Sequence, residues 1–308
     1  MSQQRVQFEN KNGQGITMAA VINFPVGFDE GQKYPAIVAT HPGGGVKEQT
    51  AGLYAKRLAE AGFITIAYDA SYQGESTGEP RQLENPYIRV EDISAVIDYL
   101  TTLPYVDSER IGAIGICAGG GYTANAAIND HRIKAVGTIS AVNIGAMLRN
   151  GWDGSQKAAD AFPSLMGGAA VRTAEASGAA MATFPFAPTT KEEEPDKEME
   201  DAWEYYRTSR ACCATAPSVA PVRCLTQLVT YDAYHMADIF LTQPMLLVVG
   251  SMAGSKWYSE DLYNRAASAD KELCVVDGAN HIEMYDVPQY VDKAVAALVA
   301  FFKKNIGE

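Results

Sequence analysis

Histidine is scarce in this chain, with four in 308 residues: His41, His131, His235 and His281. The five cysteines, Cys117, Cys212, Cys213, Cys224 and Cys274, are odd in number and show neither CxxC spacing nor companion histidines. A zinc site and a disulfide framework are therefore excluded as organising features, and no metal is expected. Apart from Cys117, the thiols read as small buried hydrophobes. Basic residues are outnumbered, 25 against 37 acidic, for a formal net charge of −12. Such a chain repels phosphate backbones and anionic lipid, and no basic stripe offsets the repulsion, so nucleic acid is not an expected partner. Long apolar runs are missing too. None approaches the roughly 20 residues that cross a bilayer, and the opening MSQQRVQFENKNGQG lacks the apolar heart of a signal peptide. Membrane is thus not an expected partner either, and a cytoplasmic location is the default expectation.

What is present suits a globular fold: 47% hydrophobic and 20% charged residues, in a length that fits one large domain with an insertion. Apolar runs of strand length recur at Ile16 to Phe24, Ala36 to Thr40, Phe63 to Tyr68, Ile111 to Ile116, Ile133 to Ile139, Met245 to Val249 and Leu273 to Val276. From Ala36 onward they are near-continuous, as expected of a mainly parallel sheet covered on both faces, while the first run suits an antiparallel edge. Helical periods fall between them, at Glu48 to Ala61, Arg89 to Leu103, Gly119 to Ala127, Ser259 to Ala269 and Val287 to Lys303. The alternation predicts βαβ crossovers and an α/β, doubly wound, mostly parallel sheet, with ligands beyond the carboxyl ends of its strands.

That alternation stops between about residues 141 and 241, where strand signal is weak and helical patches surround the acidic run Lys191 to Asp201. The expected organisation is a core of residues 1–140 and 242–308, with 141–241 inserted as a helical lid over the sheet's carboxyl edge. The acidic run reads as a solvated helix face.

The strongest local signal is Arg110-Ile-Gly-Ala-Ile-Gly-Ile-Cys-Ala-Gly-Gly-Gly121, an apolar strand entering a small-residue helix through Gly115-Ile-Cys117-Ala-Gly119. This fits a nucleophile elbow, whose flanking glycines are needed because side chains there would clash in the strained turn. The helix N-terminus should favour thiolate at Cys117. Leu273-Cys-Val-Val-Asp-Gly-Ala-Asn-His281 offers a histidine in the loop before the final helix, placed to act as general base. After an earlier strand, His41-Pro-Gly-Gly-Gly45 suits an oxyanion loop in which Gly43 or Gly44 donates one N–H and Ala118 the other, with His41 ordering the loop. Asp69-Ala-Ser-Tyr-Gln-Gly74-Glu75-Ser76 matches a D-x-x-G-x-S turn, with structural roles for Asp69, Gly74 and Ser76.

Taken in order, these segments resemble the α/β-hydrolase superfamily over nearly the whole chain, and the Gly-x-Cys-x-Gly-Gly elbow is similar to that of dienelactone hydrolases. More closely, His41-Pro-Gly-Gly-Gly-Val-Lys-Glu48, Asp69-Ala-Ser-Tyr-Gln-Gly-Glu-Ser76, Gly115-Ile-Cys-Ala-Gly-Gly-Gly-Tyr122 and His281-Ile-Glu-Met-Tyr-Asp286 resemble uncharacterised bacterial hydrolases related to fungal polyketide transferases. The resemblance implies a Cys-His-Asp triad, acyl-enzyme chemistry and no cofactor. In many relatives an aspartate follows the strand before the last helix pair, but here Gly250-Ser-Met-Ala-Gly254-Ser-Lys holds no carboxylate. Asp232 is the first substitute, ahead of Asp277, Glu283, Glu260 and Asp261. The expected activity is hydrolysis of a carboxylic ester, lactone or thioester through Cys117 and His281, on a small-molecule acyl substrate. Acyl transfer by the same pair is the alternative, and a non-catalytic ligand-binding protein on this scaffold is a third reading. A homo-oligomer is compatible with all three.

Overall fold

The computed structural model describes residues 2–191 and 196–307. Ten strands are β1 (Gln3–Asn10), β2 (Ile16–Asn23), β3 (Tyr34–Thr40), β4 (Ile64–Tyr68), β5 (Val106–Ile116), β6 (Ile133–Ile139), β7 (Thr183–Pro185), β8 (Val219–Pro221), β9 (Met245–Gly250) and β10 (Lys271–Val276). Eight form one sheet in the order β1-β2-β4-β3-β5-β6-β9-β10, while β7 and β8 make a separate antiparallel ribbon. From β4 to β10 every pairing in the large sheet is parallel, and β1 and β2 add an antiparallel edge. The expected doubly wound sheet is what forms.

The continuous apolar strands are explained by the two cores they separate. Alternate residues of a strand face opposite sides, so Ala36 and Val38 of β3 join one cluster and Ile37 and Ala39 the other. Helices α2 (Pro86–Thr101) and α3 (Ala118–Asn129) cover the first face, with α1 (Thr50–Glu60) and α11 (Pro288–Ile306) on the second. Helix α2 starts where Asn85 accepts from the backbone N–H groups of Tyr87 and Ile88, with Pro86 in the first turn where its missing N–H costs nothing. Strand β1 escapes the sequence pattern because only Val6 and Phe8 are apolar in an otherwise polar stretch. Both pack on the core, and Phe8 stacks on Tyr99 at 4.4 Å.

Between β6 and β9 the chain forms α4 (Ile144–Asn150), α5 (Phe162–Ala176), α6 (Lys197–Arg207), α7 (Leu225–Leu228) and α8 (Ala237–Phe240), besides the β7–β8 ribbon. The ribbon has no clear signal because its strands are three residues long. Residues 192–195 of the acidic run lie outside the described residues. Of the rest, Lys191, Asp196 and Lys197 are exposed as expected of a solvated face, whereas Glu198 and Asp201 turn inward, 7% and 4% exposed. After β9 come α9 (Lys256–Arg265) and, beyond β10, the single turn α10 (Glu283–Asp286). Among the described residues no helix is long and apolar enough to cross a membrane.

Candidate active site

The carboxyl ends of β3, β5, β9 and β10 bring four loops to one edge of the sheet. At the end of β5, Cys117 takes φ 57°, ψ −126° between strand and helix α3. Flanking strands fix this turn: Cys117 N donates to Ile139 O at 3.0 Å, and its carbonyl accepts from Gly120 N and Val142 N. Both glycines of the elbow are sterically required. A Cβ at Gly115 would overlap the Gly119 carbonyl, and one at Gly119 would sit 2.5 Å from Thr40 O and 2.6 Å from His41 O.

The loop after β3 is held from beneath. Arg89 Nη2 donates to His41 O at 2.7 Å, and the buried guanidinium is paired with Glu84, which also accepts from Tyr122 of α3 and from Gln73. The His41 ring lies fully inside, its Nδ1 2.7 Å from Pro42 O and its Nε2 accepting from Ala70 N. Burial, reinforced by Arg89, holds it well below the ordinary imidazole range. His41 therefore orders the loop. Gly43 and Ala118 aim their N–H groups at the Cys117 sulfur, while Gly44 makes the left-handed turn at φ +67° against Phe186. Asp69 is also internal to the scaffold, bonded to Lys47 Nζ at 2.7 Å and to the N–H groups of Lys47 and Glu75, and Ser76 ties its carbonyl to Ala19.

His281 follows β10 and is completely buried. Its Nδ1 lies 2.5 Å from Ser255 Oγ, its Nε2 3.0 Å from the Tyr285 hydroxyl, and Trp152 meets the ring edge-on at 4.7 Å. Tyr285 in turn lines the same cavity as Cys117 and favours its thiolate. With no carboxylate on the ring, desolvation alone pulls the imidazole down to about 3. Burial pushes the Cys117 thiol up and outweighs the hydrogen bonds that pull it down, from Tyr285 and from the N–H groups of Ala118 and Gly43. The helix terminus does not win, and the resting pair is a neutral thiol beside a neutral imidazole.

The structure corrects the choice of acid. Asp232 is taken by Arg265, whose Nη2 donates to Oδ2 at 2.8 Å, and by Asn143 at 2.7 Å, so its charge is already spent on α9. Asp261 and Glu260 pair along α9 with Arg265 and Lys256. Asp277 meets Ser251, and Glu283 caps the His281 loop through Asn280 N. The acid's place is filled by Ser255, a residue in the very segment that lacked a carboxylate.

Sequence reasoning missed Glu198. Its Oε1 accepts from His281 N at 2.6 Å, and its Oε2 accepts from Trp152 Nε1 at 2.6 Å and Gly254 N at 3.2 Å. One carboxylate thus holds the histidine loop, the serine loop and Trp152 together. Burial raises it above the usual carboxylate range against those three donors. Asp201 adds a bond from Asn280 at 2.7 Å. No spacing rule finds such a residue, because it sits 83 positions from its partner.

Over Cys117 lies a cavity of about 180 Å³ lined by Ile144, Met147, Trp152, Phe186, Met199 and Ala202, besides the site residues. Among the described residues no lysine or arginine lines it, so its walls are apolar apart from Cys117, Tyr206, His281 and Tyr285. The other thiols are more varied than expected: Cys224 is buried, Cys212 is exposed, and Cys213 lies 3.3 Å from Thr215.

A mostly parallel sheet carrying a strand-to-helix elbow, a glycine loop and a histidine at its carboxyl edge is the architecture of an α/β hydrolase. The α/β hydrolase GrgF from Penicillium sp. sh18 shares the fold, with a TM-score of 0.81 over 100% of both chains at 18% identity. The chain carries a dienelactone hydrolase family domain, matched over residues 19–140. It is 60% identical over 306 residues to the uncharacterized protein YcjY of Escherichia coli (strain K12), spanning 99% of this chain and 100% of that one. The crystal structure of hypothetical protein PA2218 from Pseudomonas aeruginosa gives a TM-score of 0.91 at 34% identity, over 99% of this chain and 94% of that one. Farther off are acyltransferase drtE of Aspergillus calidoustus, 23% identical over 90% of this chain and 89% of its own, and thiohydrolase aneE of Aspergillus aculeatus, 31% identical over 33% and 32%.

Proposed function

We propose that this protein hydrolyses a carboxylic ester, lactone or thioester with an uncharged, apolar acyl group, through an acyl intermediate on Cys117 with His281 as general base. The observation that carries this reading is the elbow itself. Cys117 sits in a left-handed turn on the cavity floor, with the N–H groups of Gly43 and Ala118 converging on its sulfur and His281 one tyrosine away. In the attack the thiol proton passes to His281, the sulfur bonds the substrate carbonyl carbon, and the developing oxyanion takes up the two N–H groups. Collapse expels the alcohol or thiol with the proton from His281. Water, deprotonated by the same base, then releases the acid. The insertion 141–241 serves as the lid, since Trp152, Phe186, Met199 and Ala202 supply the walls above the sulfur.

Acyl transfer is the second reading. It is favoured by those apolar walls, which keep water from the acyl group, and by the length over which acyltransferase drtE aligns. The test is a panel of p-nitrophenyl and thioester acyl substrates against wild type, Cys117→Ala and His281→Ala, with intact mass of the quenched protein. The expected result is turnover lost in both variants and an acyl adduct on wild type only. Product partition between water and an added alcohol separates hydrolysis from transfer. Equal turnover in all three proteins overturns the thiol mechanism.

A further inference from the structure

We propose that Tyr285 is a catalytic residue, the proton relay between Cys117 and His281, a role that rests on the thiol mechanism above. Both imidazole nitrogens are engaged, Nδ1 at Ser255 Oγ and Nε2 at the Tyr285 hydroxyl, 2.5 and 3.0 Å away. The same hydroxyl lines one cavity with the Cys117 sulfur and Tyr206, close enough to Cys117 to favour its thiolate. The phenol therefore stands between thiol and imidazole.

That phenol is fixed in place. Tyr285 lies in the single turn α10, which starts two residues after His281 and brings the hydroxyl to Nε2. Its carbonyl accepts from Thr50 Oγ1 at 3.0 Å, the preceding Met284 carbonyl accepts from Tyr54 at 2.7 Å, and its ring meets Tyr205 edge-on at 5.2 Å. Tyr285 is 1% exposed.

The transfer balances within the chain. With Nδ1–H donating to Ser255, Nε2 is the acceptor and Tyr285 O–H its donor, leaving the phenol oxygen to accept from the thiol. As the sulfur bonds the substrate carbon, the S–H bond breaks, its proton goes to the Tyr285 oxygen, and the phenol's own proton moves to Nε2. Tyrosine begins and ends as a neutral phenol, and the charges appear on the oxyanion and the imidazolium. A stepwise route through phenolate is disfavoured because burial holds Tyr285 well above the ordinary tyrosine range. The relay also suits a resting pair that is neutral, since the proton has to leave during attack.

The experiment is alkylation of Cys117 by iodoacetamide, a neutral probe, between pH 5 and 10, located by peptide mass, in wild type, Tyr285→Phe, His281→Ala and the double variant. The relay requires both single variants to slow by at least about tenfold at pH 7, with the double variant no slower than either. Tyr285→Phe reacting within twofold of wild type, while His281→Ala is slow, overturns it. Should Tyr285→Phe not fold, a proton inventory of wild-type alkylation in mixed light and heavy water decides: a curved plot shows two protons in flight, and a straight line overturns the relay. Failure of the thiol mechanism reads differently, as substrate turnover that persists in Cys117→Ala.

Discussion

Ser255 Oγ lies 2.5 Å from His281 Nδ1, both side chains fully buried, on neighbouring loops that leave β9 and β10. A hydroxyl in this position fixes the ring's direction without adding charge and accommodates either tautomer, so it orients the base but does little to stabilise an imidazolium. Ser255→Ala should therefore lower kcat/KM by roughly tenfold, the loss of one buried hydrogen bond of about 1–3 kcal/mol. Ser255→Asp should instead raise the imidazole pKa and move the acid limb of the rate profile to higher pH. A pH–rate series on the three proteins checks this, and an unchanged limb in Ser255→Asp would show that position 255 does not address the ring.

Glu198 acts on the same histidine from the other side, through its backbone. Removing the carboxylate in Glu198→Ala strands the N–H groups of His281 and Gly254 and the Trp152 indole. The expected cost is about 3 kcal/mol of stability, with faster amide exchange confined to the loops around residues 250–255 and 279–285. Urea unfolding and hydrogen exchange measure both. Loss of stability without faster exchange in those loops would contradict the clamp.

The contrast between Ser255 and Glu198 shows where sequence patterns carry and where they stop. Strands β2 to β6, the elbow at Cys117 and the position of His281 are written in local patterns, because buried strands need apolar runs and a strained turn needs glycine at fixed offsets. Glu198 belongs to an acidic stretch that looks solvated, and only the approach of α6 to the loop after β10 turns it inward. Asp232 misleads for the opposite reason. A carboxylate near a core strand is a reasonable acid until Arg265, thirty-three residues on, is seen to hold it. Long-range pairing of charges is set by packing, and packing is not visible in spacing.

Acidification tests the neutral imidazole. An unfolded chain protonates His281 near its ordinary value of about 6.5, whereas the folded ring resists until about 3. Between those values the unfolded state binds the extra proton, so stability is fully present above about pH 6.5 and falls as pH drops, by about 1.4 kcal/mol per unit for this one group. His41 acts in the same direction, and Asp92, raised to about 6 by burial, acts in the other, but both remain in a His281→Asn variant and cancel in the comparison. From pH 6.5 to 5 wild type should lose about 2 kcal/mol more than the variant. Parallel stability curves from urea titrations would mean that the folded imidazole takes up its proton as readily as an unfolded one.

Ala202 should set how much acyl chain the cavity accepts if the proposed reaction takes place there. It is 6% exposed, lies on α6 and faces the space of about 180 Å³ above Cys117. In Ala202→Leu three more carbons enter that space, at a helix position where leucine is well tolerated. Acetyl thioesters, which need only the floor of the cavity, should keep kcat/KM within about twofold. Hexanoyl and longer thioesters should lose at least tenfold, since a mismatch of one or two methylenes in an apolar pocket is worth about 1–3 kcal/mol. An equal loss on short and long chains would mean that Ala202 disturbs the Glu198 clamp on the same helix, and unchanged selectivity would place the acyl chain elsewhere. The chain-length profile thus reports directly on which wall of the cavity meets the substrate.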